Sequence, residues 1–374
     1  NSKDICEWCE AFSSVSSAIF TSSIYVITHT AVPGLKGLRL PGIAGDVYLY
    51  FANKERAIEL LKSGNAVRVY CKNAPCTGLS YANKIFVGDY AYSNLISDLL
   101  TDTSGIKRIA VLRMDVDNLG LAFIKGFERE SQNAEVRYRY CTLSRMAAFS
   151  RQLSMFFKYY INLIMKELND GQNKVSIVYS GGDDVFLIGA WKDVIHSAIQ
   201  INDVFKRYSL NRLTISAGIG LFREKYPIFK SANDTKLLEE KSKSVEGKNS
   251  ITLFTVQEDH TYSWDCFKEK VLDEKLKCIK DFFDAKDNEY GNAVLHRILS
   301  LLRESKDKIN IARYVYLLAK LKPKSNEKQN KSYDTFCNHM LQWILDGDDR
   351  KQLITAIYIY LYSKRKRRDS YGLQ

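Results

Sequence analysis

The chain has few of the residues that commonly carry metal or nucleophilic chemistry. It contains 5 histidines and 8 cysteines among 374 residues. The histidines are isolated in sequence, and none joins a nucleophile in a familiar pattern. No histidine is followed directly by an aspartate, the pair that marks an HD phosphohydrolase. A Walker-type phosphate loop is also missing. These absences exclude several common routes to phosphate chemistry.

Long apolar runs are missing as well. No run approaches the roughly 18 residues that a membrane-spanning helix needs. The strongest candidate, at 353–363, is too short and is followed by the basic run "KRKRR" at 364–368. We therefore expect no membrane partner. The sparse cysteines do not fit a secreted disulfide scaffold, which favours a reducing cytoplasm.

Basic residues outnumber acidic ones. Lys and Arg total 55 against 43 for Asp and Glu, which gives a net charge of +12 and a pI of about 9.1. This balance favours an anionic partner such as RNA, DNA or nucleotides. The alternative is a general solubility feature, because the charges are spread widely. The run at 364–368 is either an RNA contact or a solvated tail.

Two pairs of cysteines are close in sequence. Cys6 and Cys9 have the C-x₂-C spacing of a zinc knuckle, and Cys71 and Cys76 are five residues apart. A zinc site needs four ligands, usually from two knuckles. Cys6 and Cys9 are therefore candidate zinc ligands whose partners would lie outside this chain. The alternative is that they are ordinary reduced thiols.

The pattern along the chain separates three regions, 1–104, 105–262 and 263–374. In the first region we predict a small α/β module with no catalytic residues. Its predicted elements are strands at 23–29, 46–51, 66–71 and 84–90, a loop at 33–45, and a helix at 54–64 that ends at a glycine.

The second region has the strand and helix order of a ferredoxin-like sheet, β-α-β-β-α-β, which is the layout of Palm domains. Its predicted elements are a strand that begins at 108, a helix at 142–168, strands at 174–180 and 184–191, a helix at 192–209, a strand at 213–222, a helix at 235–249 and a last strand at 250–255. Apolar stripes in the third region predict a bundle of about five helices. The predicted fold class is thus α+β.

The stretch "YSGGDDVFLIG" (179–189) places two glycines and two aspartates between two strands. The predicted sheet puts this hairpin beside the end of the first strand, which bears Asp115 and Asp117. Adjacent carboxylates repel each other, and their burial is costly without a partner. A divalent cation, Mg²⁺ or Mn²⁺, is the simplest compensation, with substrate phosphates as further ligands. Gly181 and Gly182 leave room for a nucleotide at the turn.

Two such cations could activate an attacking hydroxyl and stabilise a leaving pyrophosphate, which is the chemistry of nucleotidyl transfer. Asp115 and Asp184 are then the bridging ligands and Asp183 is the third carboxylate. The carbonyl of Val116 is a further candidate ligand. The alternative is a glycine hairpin with solvated aspartates. The pairing of the hairpin with "MDVD" at a strand end favours the functional interpretation.

Four more residues are candidates for the nucleotide site. Lys248 and Asn249 follow the third helix and either bind a triphosphate or cap the helix. Ser180 precedes the glycines and either contacts a ribose or phosphate or is a plain turn serine. Asn118, which follows "MDVD", completes the predicted set.

These residues carry a resemblance to a known family. The segments "LRMDVDNLG", "YSGGDDVFLIGAW", "SAGIGLF" and "EGKNSITLF" resemble the large Palm-domain subunit of type III CRISPR effector complexes, most closely the Csm type. The resemblance covers about residues 1–262, and the helical region matches in position and character. It implies a longer protein with an HD nuclease domain, a first Palm domain and a zinc-bearing linker upstream. "CEWC" then looks like the second knuckle of that linker.

The resemblance implies synthesis of cyclic oligoadenylate from ATP after target RNA binds, by attack of one ATP's 3′-hydroxyl on another's α-phosphate. It marks Asp183 and Asp184 as the GGDD carboxylates and Asp115 as the first-strand ligand. It also implies several partners: guide RNA, target RNA, small helical subunits, the subunit that binds the guide-RNA 5′ end, and the upstream HD and first Palm region. Because the second ATP sits largely on the first Palm domain, we expect this chain alone to be inactive.

Two other functions stay open from the sequence. Diguanylate cyclases share the fold, but they typically carry GGDEF or GGEEF, whereas this string continues Asp-Val-Phe, and a helical C-terminal region is unexpected for them. The second alternative is a catalytically silent scaffold that binds RNA. The intact GGDD argues against a degenerate site, although scaffolding and catalysis can coexist.

Overall fold

The computed structural model divides the chain into two compact units that alternate along the sequence. One comprises Asn1–Asn94 and Phe123–Val185, and the other comprises Leu95–Ala122 and Phe186–Gln374. The structure describes residues 5–35, 37–41, 45–74, 77–79, 82–101, 103–285, 291–304, 308–323 and 327–365. The division into 1–104, 105–262 and 263–374 stays a prediction.

The first unit contains a five-stranded sheet with the order β2-β3-β1-β4-β5. Its strands are β1 (Ile24–Thr28), β2 (Gly37–Leu40), β3 (Val47–Ala52), β4 (Ala66–Lys72) and β5 (Ala82–Ile85), and two helices accompany them, α1 (Glu7–Thr21) and α2 (Lys54–Lys62). Val26 of β1 lies opposite Val69 of β4 and is fully buried, in a cluster that includes Ala57 of α2. The predicted α/β character of this region is confirmed.

The strand predicted at 84–90 is wrong beyond Ile85. The backbone of Val87 is bonded to side chains instead of to a neighbouring strand. Asn162 donates a hydrogen bond to its carbonyl at 2.7 Å, and the Asn73 side chain accepts one from its N–H at 3.0 Å. These two side chains occupy the carbonyl and the N–H of Val87, which a longer strand would need for hydrogen bonds to its neighbour.

Two elements of the first unit lie outside the sequence predictions. Strand β2 lies inside the predicted loop at 33–45. A Cβ atom on Gly37 would lie 2.4 Å from a ring carbon of Tyr50, so the glycine that indicated a loop instead permits close strand packing. Helix α1 is serine-rich and buries Val15 alone, so its apolar stripe is weak.

The long helix predicted at 142–168 is present with an interruption. The remaining elements of this unit are α5 (Ala134–Tyr138), α6 (Leu143–Met155), a π-helical turn (Phe156–Tyr160), α7 (Ile161–Glu167), a 3₁₀ turn (Leu168–Gly171) and β7 (Val175–Gly181). Phe156 and Phe157 in the π turn are fully buried. The extra residue in the turn lets these adjacent rings both enter the core.

The second sheet has the order β11-β10-β9-β6-β8-β7. Its strands, apart from β7, are β6 (Ile109–Val116), β8 (Asp184–Ala190), β9 (Ile215–Phe222), β10 (Ser250–Phe254) and β11 (Thr261–Ser263). β6 pairs antiparallel with β9, and β10 pairs parallel with β9. The predicted ferredoxin-like order is confirmed in β9-β6-β8-β7. The prediction that 250–255 is the last strand is wrong, because β11 pairs with β10.

Four helices of the sheet region are α3 (Ile96–Leu99), α4 (Leu119–Lys125), α8 (Trp191–Tyr208) and α9 (Ile228–Lys243). The helix predicted at 235–249 therefore begins seven residues earlier and ends six residues earlier than expected. Pro227 directly precedes its first turn, a position where a missing N–H costs nothing. A Cβ atom on Gly218 of β9 would lie 2.4 Å from the backbone nitrogen of Glu239, so α9 packs directly on the strand.

Beyond β11 the described residues are helical, as predicted. The elements are α10 (Trp264–Cys266), a π-helical segment (Phe267–Leu276), α11 (Lys277–Phe283), α12 (Asn292–Arg303), α13 (Lys308–Ala319), α14 (Glu327–Leu345) and α15 (Gly347–Lys364). Trp264 is fully buried and donates to the Ile215 carbonyl of β9 at 2.8 Å, which ties this segment to the sheet. Among the described helices, none has the length and apolar character to cross a membrane.

Candidate active site

Asp115, the second-last residue of β6, belongs to a line of alternating charges. Lys243 of α9 contacts the Asp115 carboxylate and lies 2.8 Å from a carboxylate oxygen of Glu239. The other oxygen of Glu239 accepts a hydrogen bond from Arg113 Nε at 3.1 Å. Because α9 packs directly on β9, its Glu239 and Lys243, one turn apart, can reach the β6 side chains.

The charge of Lys243 is set by two opposing effects. Partial burial acts to lower its pKa, but the hydrogen bonds with Asp115 and Glu239 outweigh burial and leave the pKa raised. Lys243 is therefore an ammonium group at neutral pH. In this structure the Asp115 carboxylate faces a cation.

Asp117, in the turn after β6, is hydrogen-bonded to two neighbouring loops. It is 3% exposed, and one of its carboxylate oxygens accepts hydrogen bonds from Thr214 Oγ1 at 2.7 Å and from the Asn249 N–H at 3.0 Å. Its own N–H donates to the Thr214 carbonyl at 2.8 Å. Asn249, predicted to bind a triphosphate, thus uses its backbone to hold Asp117.

Asn118 and Lys248 are brought together. The Lys248 ammonium donates to the Asn118 side-chain oxygen at 2.8 Å. Both residues have positive φ angles, 53° and 52°, and Asn249 has 50°. Such angles are uncommon outside glycine and mark a tightly specified pair of loops. Val116, by contrast, is a buried strand residue paired with Ile215.

The GGDD turn joins β7 to β8 in the first unit. Gly182 has a φ of +66° and is exposed, so the turn needs glycine there for its backbone angle. A Cβ atom on Gly181 would make only ordinary contacts, at 3.5 Å to Lys158 and 3.6 Å to Tyr179. Asp183 and Asp184 follow as half-buried residues, with Asp184 opening β8.

The negative charge of this turn affects the pKa of Tyr179. Its pKa is raised, first by the negative charge of Asp184 and further by a hydrogen bond to the same carboxylate. The Tyr179 hydroxyl also donates to the Gly181 carbonyl in the turn, at 3.5 Å. Because the Tyr179 side chain is exposed, it could also reach a ligand that approaches the turn.

Ser180 is buried, and its hydroxyl donates to the Phe157 carbonyl in the π-helical turn. A Cβ atom on Gly88 would lie 2.8 Å from Ser180 Cβ, so the chain is close-packed around it. In this arrangement the Ser180 hydroxyl proton is used inside the protein. Its contact with a ribose or phosphate stays a prediction.

Cys6 and Cys9 lie together at the start of α1. Their sulfur atoms are 3.3 Å apart, and both side chains are exposed. The Cys9 N–H bonds to the Cys6 sulfur and lowers the pKa of Cys6, while the bond from Cys6 raises that of Cys9. The two sulfur atoms are thus adjacent, and zinc binding by this pair stays a prediction. Cys76 lies outside the described residues.

No three His, Cys, Asp or Glu side chains of the described ranges converge where they could hold a metal ion. The donor set nevertheless fits a divalent cation. Asp115, Asp183 and Asp184 offer carboxylate oxygens, which Mg²⁺ and Mn²⁺ prefer. The contact with Lys243 further shows that the Asp115 carboxylate accommodates a neighbouring cation. Mg²⁺ or Mn²⁺ at these residues stays a prediction.

Sequence reasoning missed several charged and polar neighbours of the predicted residues. Lys243 and Glu239 carried a usable signal, because their i, i+4 spacing puts both on one face of a predicted helix. Arg113 sits two residues before Asp115, on the same face of β6. Tyr179 lies beside the glycines in the sequence and was not singled out.

Two family descriptions match the chain. Residues 108–252 match "Cas10/Cmr2, second palm domain", and residues 280–366 match "CRISPR RNA silencing complex Cmr2 subunit, second helical domain". The first match contains Asp115 and the GGDD turn. The second falls in the helical region.

Curated relatives extend the match over most of the chain. The chain is 37% identical over 372 residues to the CRISPR system single-strand-specific deoxyribonuclease Cas10/Csm1 (subtype III-A) of Mycobacterium tuberculosis, covering 96% of this chain and 44% of that protein. The protein of the same description from Streptococcus thermophilus is 40% identical over 319 residues, covering 83% and 40%. The chain thus spans less than half the length of these relatives.

Solved structures agree in fold. A Csm1-Csm4 cassette in complex with one ATP has a TM-score of 0.69 at 20% identity, covering 96% of this chain and 50% of that one. A Csm1-Csm4 cassette in complex with cA4 has a TM-score of 0.65 at 19% identity, covering 92% and 49%. Together with the sequence matches, these likenesses show that the chain belongs to the Cas10/Csm1 family of type III-A CRISPR large subunits, and that it corresponds to their C-terminal portion.

Proposed function

We propose that this chain carries the nucleotidyl-transfer site of a type III effector large subunit, which makes cyclic oligoadenylate from ATP once the complex binds target RNA. One observation carries the proposal. In the sheet order, β6 and β8 are neighbours, and Asp115 is the second-last residue of β6 while Asp184 is the first of β8. Solved structures of similar fold include cassettes with one ATP and with cA4.

Asp115, Asp183 and Asp184 would hold the divalent cation, Mg²⁺ or Mn²⁺. When bound, such a cation offsets phosphate charge and makes a nearby hydroxyl more acidic. The three carboxylates alone would repel a triphosphate. Their proposed role therefore requires positive charge nearby. The chain contributes Lys243, the last residue of α9, and Lys248, in the loop that follows α9.

The proposed reaction joins two ATP molecules. The 3′-hydroxyl oxygen of one forms a bond to the α-phosphorus of the other, the bond to pyrophosphate breaks, and the hydroxyl proton passes to solvent. Gly182, exposed and without a side chain, leaves the turn open to a nucleotide. The negative charge of Asp184 raises the pKa of Tyr179, and the neutral phenol would help to orient that carboxylate.

The other expected partners are part of the same proposal. Guide RNA, target RNA, small helical subunits, the subunit at the guide-RNA 5′ end, and an upstream HD and first Palm region would complete the active assembly. Cys6 and Cys9 would supply two of the four ligands of a zinc site. We propose no nuclease step on this chain, because no histidine in its sequence is followed directly by an aspartate, the order found in HD nucleases.

A product screen tests the proposal. The full effector assembly is incubated with cognate target RNA, Mg²⁺ or Mn²⁺ and each nucleoside triphosphate in turn, and mass spectrometry identifies the products. We expect cyclic oligoadenylate from ATP, and only when target RNA is present. Cyclic di-GMP from GTP would favour a diguanylate cyclase instead. RNA binding without any product would leave a scaffold with a silent GGDD turn.

A further inference from the structure

A groove of about 1460 Å³ lies in the second unit, built from three separate segments. These are the residues before β6 (103–108), the end of β9 with the following turn (221–226), and the end of α15 (362–365). The groove is rich in cationic side chains and has one acidic residue, Glu224. The cationic lining residues are Lys107, Arg108, Arg223, Lys364 and Arg365.

Most of these charges are not neutralised by the protein. Within the part of the chain that the structure describes, Lys364 pairs with Asp284 at 2.9 Å, but the other four cationic lining residues form no ion pair. Five cations therefore face one groove with little compensation. Such an excess of one sign attracts polyanions.

The same positive charges affect the pKa of a neighbouring lysine, Lys192. Lys192 donates to Ser104 of the groove lining at 2.7 Å. Its pKa is lowered, first by burial and then by the positive charges of Lys280 and Lys364. The positive charges of Lys280 and Lys364 thus add to the effect of burial at this end of the unit.

The groove walls are fixed to each other. The Ile106 N–H donates to the Tyr362 carbonyl at 2.8 Å. A Cβ atom on Gly105 would lie 2.3 Å from that same carbonyl oxygen, so the two segments are in direct backbone contact. Arg108 and Arg365 are consequently held near one another by the backbone. Burial raises the pKa of Tyr362, and the positive charges of Arg108 and Arg365 oppose that rise.

Aromatic rings accompany the charges on the second segment, 221–226. Phe222 and Tyr226 are stacked, with ring centroids 5.1 Å apart and planes 13° apart. The Tyr226 hydroxyl donates to Asp234 at 2.9 Å, which fixes the outer ring. Both side chains are half-buried and line the groove. Aromatic rings beside a cationic track are the usual platform for unpaired bases.

We propose that this groove binds single-stranded nucleic acid, with phosphates against the five cationic residues and bases against Phe222 and Tyr226. The groove, at about 1460 Å³, is far larger than a single compact anion needs. In sequence the basic run continues beyond Arg365 with Lys366, Arg367 and Arg368. The inference deepens the RNA-guided function proposed above, but its argument does not use the GGDD turn.

The test measures binding of a fluorescent oligouridylate to the full 374-residue chain by anisotropy over a range of salt. The variant is Arg108→Glu/Arg223→Glu, and the matched control is Lys277→Glu/Lys320→Glu, which makes the same charge change outside the groove. We expect affinity to fall roughly tenfold in the groove variant. The magnitude of the log–log salt slope should fall by about 1.4, for two lost phosphate contacts. The control should stay within about twofold of wild type.

Several outcomes would overturn the proposal. They are equal losses in groove and control variants, no binding of any strand by the wild type, or binding of phosphatidylglycerol vesicles alone. The affinity for a deoxyoligonucleotide, measured alongside, shows whether the groove prefers RNA or DNA. Groove-dependent binding of either strand supports the proposal. Photo-crosslinking of the wild-type chain to a strand that contains 4-thiouridine needs no variant. Cross-links that all lie away from residues 222–226 would contradict the proposal. Asp183→Asn/Asp184→Asn should bind the strand normally, which separates this proposal from the catalytic one.

Discussion

The ammonium group of Lys243 on α9 contacts the carboxylate of Asp115 on β6, and Glu239 shares the same ammonium at 2.8 Å. A helix and a strand from distant parts of the sequence thus meet through one cation. This contact stabilises the packing of α9 against the sheet. It also places positive charge beside a carboxylate that we propose as a metal ligand.

Replacement of Lys243 by Met should lower the free energy of unfolding by about 1 kcal/mol, a value limited by solvent screening of a partly exposed pair. The reason is that Asp115 and Glu239 lose their shared cation. Urea unfolding measures the change. Lys236→Met is the matched control, because its pairing with Glu240 on the same helix is 3.7 Å long and exposed, and it should change stability little.

The sign of the pH dependence follows from the raised pKa of Lys243. A raised pKa in the folded state stabilises the protein below the unfolded value of 10.5 and loses that effect as pH rises through the folded value. The stability difference between wild type and Lys243→Met should therefore be constant around neutral pH and shrink in strongly alkaline solution. A difference that grew with alkaline pH would contradict the ion pair.

Lys243 should also compete with a divalent cation for Asp115. Lys243→Gln removes a positive charge beside that carboxylate, so we expect Mn²⁺ to bind more tightly, by about threefold to tenfold for a partly screened charge. Electron paramagnetic resonance of free Mn²⁺ during a titration measures the affinity. Lys236→Gln controls for net charge. Weaker Mn²⁺ binding in Lys243→Gln than in this control would contradict the competition.

Gly218 of β9 should be intolerant of any side chain. A Cβ atom there would lie 2.4 Å from the Glu239 nitrogen and 2.8 Å from the Leu238 carbonyl carbon, both of which belong to the backbone and cannot rotate away. We expect Gly218→Ala to cost about 2 to 3 kcal/mol by overpacking. Gly120→Ala is the control, since nothing lies within 4 Å of its Cβ position. Equal stability of the two variants in thermal unfolding would show that α9 does not pack so closely on β9.

His260 should make stability fall in mild acid. Its ring is 2% exposed and bonded to Thr355 and Glu258, and burial lowers its pKa although Glu258 opposes the effect. A lowered pKa in the folded state gives stability that is present above the ordinary value of 6.5 and is lost as pH falls below it. Unfolding at pH values on both sides of this point should show a larger acid loss in wild type than in His260→Gln. Parallel curves would mean that His260 does not contribute.

The sequence was most informative where local pattern and tertiary role agree. The apolar runs on both sides of "SGGDD" and before Asp115 predicted β6, β7 and β8 within about a residue, because short apolar runs bounded by turns are typical of strands. The ferredoxin-like order then followed from the order of elements. Gly182 was also identifiable, since its positive φ is a property of the turn itself.

Features set by distant contacts could not be predicted in this way. The strand at 84–90 stops at Ile85 because the Asn162 side chain takes the carbonyl of Val87, and such a contact leaves no local pattern. Ser180 looked available for a ligand, yet it bonds to the Phe157 carbonyl of a π-helical turn that no periodicity indicated. The pairing of Lys243 with Asp115 likewise spans 128 positions of sequence.

The most direct test of the account compares products of the full effector assembly, with target RNA and ATP, for wild type and Asp183→Asn/Asp184→Asn. The control, Asp273→Asn/Asp281→Asn, makes the same change at two exposed aspartates outside the proposed site. The account predicts that cyclic oligoadenylate, measured by mass spectrometry, falls at least about a hundredfold in the GGDD variant, because loss of even an outer-shell partner of a metal ligand costs about 10-fold to 100-fold. RNA binding and the control's product should be unchanged. Wild-type amounts of product from the GGDD variant would contradict the proposed site.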